Sequence, residues 1–185
     1  MLITPLELED EPLKIDIAFA PGTIDFGLGI TQVGELPVEG QADLLVEHRE
    51  DNQEIADIRV RAHYAADFTM ECARCVEPVE TSLKSEFDLI FRPQDADANL
   101  SERAITVDET EIGYYDKSGL LLEDVVREQV LLSLPGRILC RPDCKGLCPR
   151  CGQNLNQGIC SCEETPADPR WNALADLAGK LELKH

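Results

Sequence analysis

The chain has 185 residues, with 17 Lys+Arg against 36 Asp+Glu, a formal net charge of -19 at pH 7. A field of that sign repels polyphosphate and excludes a general nucleic-acid coat protein. An apolar fraction of 43% argues against wholesale disorder, and no run approaches the roughly 18–20 apolar residues of a membrane-spanning helix.

The opening stretch, MLITPLELEDEPLK, carries neither a basic n-region nor an apolar h-region, so it reads as no secretory signal and points to the cytoplasm. Ile15, Ile17 and Phe19 alternate as in a short strand. Pro21-Gly22 marks a turn, and Gly27, Gly29, Gly34 and Pro37 predict irregular chain. Leu44 and Val46 suggest a strand over 41–48, with a turn at Glu50, Asp51 and Asn52. The clearest period follows. Ile58, Val60, Ala62, Tyr64, Ala66, Phe68 and Met70 alternate with mostly polar residues, the pattern of a long strand with one buried face. Leu83, Phe87, Leu89 and Phe91 repeat it, which predicts a long antiparallel hairpin with Cys72 and Cys75 at its connection.

Residues 93–104 read as a flexible acidic loop. A helix is expected over 119–133. Leu121, Val125 and Leu132 form part of its apolar stripe, widened by Leu122, Val126 and Val130, and Pro135-Gly136 ends it. The cysteine-rich segment 140–162 comes next. Asp168-Pro169 then opens a short C-terminal helix, Asp as N-cap and Pro at the first helical position, with Trp171, Leu174, Ala178 and Leu181 on one face. The fold class is α+β: an antiparallel sheet around 41–91, one central helix, a Cys-rich zinc-knuckle segment and the C-terminal helix. Two units are expected, an acidic body over 1–135 carrying Cys72 and Cys75, and a zinc-binding unit over 136–185.

Eight cysteines in a reducing compartment point to metal or redox chemistry rather than disulfides. A Cys-x2-Cys turn aims two thiolates at one ion, and four thiolates at about 2.3 Å suit structural zinc. Cys148 and Cys151 have that spacing, Gly152 permits the positive φ such a turn needs, and Cys160 and Cys162 supply a second pair nearby. Cys140 and Cys144 are then left to join Cys72 and Cys75 in a long-range site. Spacing leaves a competing grouping open: Cys140, Cys144, Cys148 and Cys151 in one site, with Cys160 and Cys162 joining Cys72 and Cys75. Either way two zinc ions are expected, and they would hold the fold rather than catalyse. Losing eight thiol protons and gaining two dications would take the formal charge from -19 to -23.

Other chemistry is scarce. His63 falls on the polar face of its strand, and no phosphate-cradling glycine loop or Gly-x-Ser-x-Gly elbow is present. No enzyme is expected. The acid is unevenly spread: residues 1–58 hold 14 acidic and 2 basic residues, and 95–128 hold 10 and 3. Residues 137–151 run the other way, with Arg137, Arg141, Lys145 and Arg150 against Asp143. Those cations read as compensation for thiolate charge, as a small phosphate-contacting patch, or as both. The number of thiolates also supports a second class of function, a zinc- or redox-responsive regulator that senses through its thiolates.

Taken together, Cys72-Ala-Arg-Cys75-Val-Glu-Pro78, Leu134-Pro135, the run Lys145-Gly-Leu-Cys-Pro-Arg-Cys-Gly-Gln-Asn-Leu-Asn156 and Asp168-Pro-Arg-Trp171 resemble the YceD family of large ribosomal RNA subunit accumulation proteins. The resemblance covers roughly 68–178. Val76 stands where that family more usually has Leu, and residues 1–57 carry no matching motif. The resemblance implies a role in the synthesis, processing or stability of 23S rRNA and in large-subunit assembly. The partner expected from it is a pre-ribosomal large subunit; the acidic body points instead to a basic ribosomal protein, the basic knuckle segment leaves direct 23S rRNA contact open, and no membrane is expected.

Overall fold

The computed structural model describes residues 1–27, 29–48, 54–96 and 112–162. Three long strands form its frame: β4 (Leu36–His48), β5 (Glu54–Glu71) and β6 (Pro78–Pro93). β5 pairs antiparallel with β6 from Ile58↔Phe91 to Glu71↔Pro78, and with β4 from Val38↔Tyr64 to His48↔Glu54. β2 (Leu13–Phe19) lies outside β4, and β3 (Ile30–Val33) takes up the last turn of pairing on β5, from Ile30↔Met70 to Val33↔Asp67. β7 (Ile112–Tyr115) runs parallel to β6 at the other edge, so the strand order is β2-β4-β5-β6-β7. Separately, β1 (Leu2–Ile3) pairs with β8 (Leu120–Leu121).

Alternation along β5 decides which face is covered. Ile58, Val60, Ala62, Tyr64, Ala66 and Phe68 are buried, while Arg61, His63 and Asp67 are exposed. α1 (Leu122–Ser133) lies over the buried face through Leu122, Val125, Val126 and Val130, whose spacing places them on one side of a helix. The Tyr64 hydroxyl ties the two layers, donating to the Gln129 carbonyl at 2.9 Å and lying 3.1 Å from Ser133 Oγ. Phe26 meets Phe68 edge to face with centroids 5.3 Å apart. At the far end of the sheet Arg92 and Asp57, both buried, form a two-pronged ion pair at 2.7 and 3.1 Å. Desolvation, reinforced by Asp57 and Asp95, pushes the nearby Tyr115 phenol up to about 12, and its hydroxyl donates to the Ala56 carbonyl at 2.6 Å.

The architecture is α+β with a single α-helix among the described residues, besides a 3-10 turn at Pro5–Leu8, and it corrects the sequence reading in three places. The sheet is mixed rather than antiparallel and reaches well beyond 41–91: β2, the strand marked by alternating Ile15, Ile17 and Phe19, joins it outside β4, and the four-residue β3 and the parallel β7, which have little alternation of their own, add further edges. The helix begins at Leu122, not at 119. Gly119 stands at φ +118, and Leu120–Leu121 are spent on pairing with β1. Leu121 and Leu132 therefore lie outside the apolar stripe, and Leu132 is 72% exposed. Of the acidic loop expected over 93–104, residues 97–104 lie outside the described residues, as does the expected C-terminal helix.

Candidate metal centres

β5 and β6 end together at Glu71↔Pro78, and residues 72–77 turn the chain between them. The Val76 amide donates to the Cys72 carbonyl at 2.9 Å, and the Cys72 amide donates to the Glu77 carbonyl at 2.9 Å. Residues 148–153 make the same turn. The Gly152 amide donates to the Cys148 carbonyl at 2.9 Å, and the Cys148 amide donates to the Gln153 carbonyl at 2.8 Å. In both, the residue after the second cysteine is left-handed, Val76 at φ 62 and Gly152 at φ 73. The turn thus needs one left-handed residue after the Cys-x2-Cys.

The fold collects the cysteines into two groups. The Sγ atoms of Cys72, Cys75, Cys140 and Cys144 lie within 4.8 Å of one another, and so do those of Cys148, Cys151, Cys160 and Cys162. The alternative grouping left open by spacing is not the one the chain assembles. In the first group Cys72 Sγ is 3.8 Å from Cys144 Sγ, and Cys75 Sγ is 3.6 Å from Cys140 Sγ. Four sulfurs placed tetrahedrally at 2.3 Å from one ion stand about 3.8 Å apart. Those two distances and the all-thiol donor set fit a thiophilic dication.

Charge makes the same point. Burial pushes the Cys72 thiol up, but the amides of Cys140, Arg74 and Cys75 outweigh it and hold the thiol down at about 6. Burial likewise opposes Cys144, which the Asn156 side chain and the Gly146 amide bring below the usual thiol range. Cys140 goes the other way, up to about 12, through desolvation and the crowding of Cys75, Cys144 and Cys72. The second group repeats this split. Amides of Cys151 and Arg150 draw Cys148 down to about 6, whereas neighbouring Cys151 and desolvation push Cys162 up to about 12. Four thiols this close cannot all ionise without a cation between them.

The two groups differ in setting. Cys72, Cys75 and Cys144 are 1%, 4% and 3% exposed and pack with Val79 and Leu139. The segment after α1 is sewn onto the hairpin tip. The Ala73 amide donates to the Ile138 carbonyl at 2.9 Å and the Leu147 amide to the Arg74 carbonyl at 3.0 Å. The Arg74 guanidinium, though exposed, donates to the Cys144 carbonyl at 2.7 Å. In the second group only Cys148 is buried; Cys151 is exposed and Cys160 and Cys162 are intermediate.

Of the other residues singled out from sequence, His63 is on the open face, 3.9 Å from Glu39. Arg137, Arg141, Lys145 and Arg150 are all exposed, Arg141 lying 3.6 Å from Asp143. Sequence reasoning assigned no role to Glu77, Gly146, Asn154 or Asn156, which hold the two turns against each other. The Asn-Leu-Asn run close behind a Cys-x2-Cys was the available signal, since asparagine readily bonds neighbouring backbone. Among the described residues no helix is long and apolar enough to cross a membrane.

The family model described as "Large ribosomal RNA subunit accumulation protein YceD" matches residues 60–178, which include all eight cysteines. The chain is 34% identical over 122 residues to an uncharacterized protein of Mycobacterium tuberculosis (strain ATCC 25618 / H37Rv), covering 66% of this chain and 56% of that one. A Mycobacterium leprae (strain TN) protein is 28% identical over 123 residues, with 65% and 53% covered. It is also similar to the large ribosomal RNA subunit accumulation protein YCED homolog 1, chloroplastic, of Arabidopsis thaliana, at 24% over 137 residues, with 63% and 43% covered. The matched part therefore spans little more than half the length of the mycobacterial relatives. No solved structure matches the chain.

Proposed function

Because the chain belongs to the YceD family, we propose that it is a non-enzymatic accessory factor in 23S rRNA synthesis, processing or stability and in large-subunit assembly. The family match carries this reading, since it spans both cysteine groups, and two plant relatives are named for large ribosomal RNA subunit accumulation. The proposed setting is the cytoplasm.

Two zinc ions serve this role as structural pins. Cys72, Cys75, Cys140 and Cys144 would hold one, and Cys148, Cys151, Cys160 and Cys162 the other. Four thiolates close a tetrahedral shell and leave no position for a reacting water. The units proposed are an acidic body over 1–135 and a knuckle unit over 136–185. Their charge suggests how they divide the work. Among the described residues Arg137, Lys145 and Arg150 are exposed without an ion pair, which suits phosphate contact. The acidic body suits a basic ribosomal protein, an encounter that electrostatics speeds and salt weakens.

Gradient sedimentation of lysates with and without the protein tests the proposal. The protein should travel with a large-subunit precursor, and that precursor should accumulate in its absence. Unchanged precursor profiles, with the protein remaining at the top of the gradient at low and high salt, would overturn it.

A further inference from the structure

Asn154 and Asn156 follow the second Cys-x2-Cys, yet both side chains turn toward the first cysteine group. Asn156 Nδ2 donates to Cys144 Sγ at 3.3 Å, and Asn156 Oδ1 accepts from the Lys145 amide at 2.8 Å. A backbone amide can only donate, so the oxygen must face Lys145 and the NH2 must face the sulfur. Asn154 Oδ1 accepts from both the amide and the Nδ2 of Asn156, at 3.0 and 2.9 Å. Its own Nδ2 donates to Glu77 Oε1 at 3.0 Å, where Gln157 Nε2 adds a second donor at 3.2 Å. Glu77 closes the first turn by accepting the Cys72 amide on its carbonyl. Gly146 permits the close approach: a Cβ there would stand 2.9 Å from the Arg74 carbonyl oxygen.

One loop therefore touches the first group at a sulfur and at the end of its turn. The same loop lies between Cys151 and Cys160, so the second group holds both its ends. Left without that clamp, the loop must be ordered before Asn156 can donate, and ordering backbone opposes it. Partners that hydrogen-bond a metal ligand typically set about 10–100-fold in metal affinity.

We propose that Asn156 is a positioning residue that couples the two sites. A dication at Cys148, Cys151, Cys160 and Cys162 fixes the loop, the fixed loop presents the Asn156 amide to Cys144, and filling the second site thereby tightens the first. By linkage, filling the first tightens the second by the same factor. This rests on the reading of both cysteine groups as zinc sites.

The test uses the full chain, stripped of metal and titrated with zinc against a chromogenic chelator. Four proteins are compared: wild type, Asn156→Asp, Cys148→Ser and the double variant. Asn156→Asp keeps the oxygen that accepts from Lys145 and removes the donor to sulfur. Each single change is expected to weaken the first site about 10–100-fold, and the double variant to be no weaker than the worse single. In the cadmium-loaded protein, Asn156→Asp should move the cadmium NMR resonance of the first site and leave that of the second in place. A first site of unchanged affinity in Cys148→Ser, multiplying losses in the double variant, or an unmoved resonance would overturn the coupling. Wild-type protein that takes up no metal would overturn the zinc reading itself, whereas two metals bound independently would overturn the coupling alone. Should Asn156→Asp not fold, the Cys148→Ser comparison still decides.

Discussion

The two cysteine groups have nearly the same turn chemistry and opposite places in the fold. The first joins residues 72 and 65 positions apart, Cys72 to Cys144 and Cys75 to Cys140. The second draws all four sulfurs from the stretch between Cys148 and Cys162. Closing the longer loop costs about 1.4 kcal/mol more chain entropy than closing the shorter one. The hairpin prepays that closure, because β5 and β6 already carry Cys72 and Cys75 to the sheet end where the chain leaving α1 arrives. Thus the first group is the seam between sheet and knuckle segment, and the second is a local clasp beyond it.

This contrast predicts unequal losses. Cys72→Ser should remove one of two zinc ions and leave buried sulfurs around an empty centre. Structural zinc in small fingers supplies about 10–16 kcal/mol of apparent binding energy, so even a part of it is a large fraction of the stability of a domain. Thermal unfolding with metal content measured in parallel should show a large fall in Tm. Cys148→Ser should also remove one ion, yet, since it weakens the first site only about 10–100-fold, leave melting of the sheet within about 3 kcal/mol of wild type. Equal losses in the two variants would erase the distinction between seam and clasp.

A second prediction asks where the groups should agree. In metal-free protein Cys72 and Cys148 are both held at about 6, below the usual thiol value of 9.0. A lowered pKa means their contribution to stability is complete above about pH 9 and is lost as pH falls through about 6. Cys140 and Cys162, raised to about 12, behave oppositely: their contribution is complete below about pH 9 and is lost as pH rises through about 12. Thiolate absorbance should therefore rise in a first step near pH 6, which Cys72→Ser and Cys148→Ser each cut by about half. A single step near 9 would show that the amides around these sulfurs do not act as the geometry requires.

How much of this was legible in the residues depends on how far apart the cause lies from the effect. β5 was plain because seven alternating apolar positions sit in one run, and the helix because Leu122, Val125, Val126 and Val130 repeat at helical spacing. β7 and β1 were not, since a strand of two to four residues exists only through its partner. Ser118-Gly119 looked like a helix start, but pairing of Leu120 with Ile3 claimed that turn instead. Spacing proposed the cysteine pairs, whereas the choice of which pairs meet needed the sheet to bring residue 72 beside residue 144. The Asn-Leu-Asn run signals side chains that bond nearby backbone, but not that Asn156 reaches Cys144, which needs the chain folded back through the second turn.

The smallest predicted effect compares the turns themselves. Both place one residue in the left-handed region, glycine in the second and a β-branched valine in the first. That conformation costs an L-residue roughly 1–2 kcal/mol, while glycine loses about 0.5–1 kcal/mol more backbone entropy on folding than a residue with a side chain. Val76 is 51% exposed, so its side chain returns little through packing. Val76→Gly should then be neutral to about 1 kcal/mol stabilising. The reciprocal change, Gly152→Val, should destabilise its turn by a similar amount, about 0–1.5 kcal/mol. Nothing lies within 4 Å of a Cβ built at Gly152, so this loss is conformational rather than steric. It should appear as weaker metal binding at the second site, with little change in the melting of the sheet. If Val76→Gly instead lowers Tm, the left-handed valine is supported by contacts that offset its backbone, and the two turns are less alike than their hydrogen bonds make them.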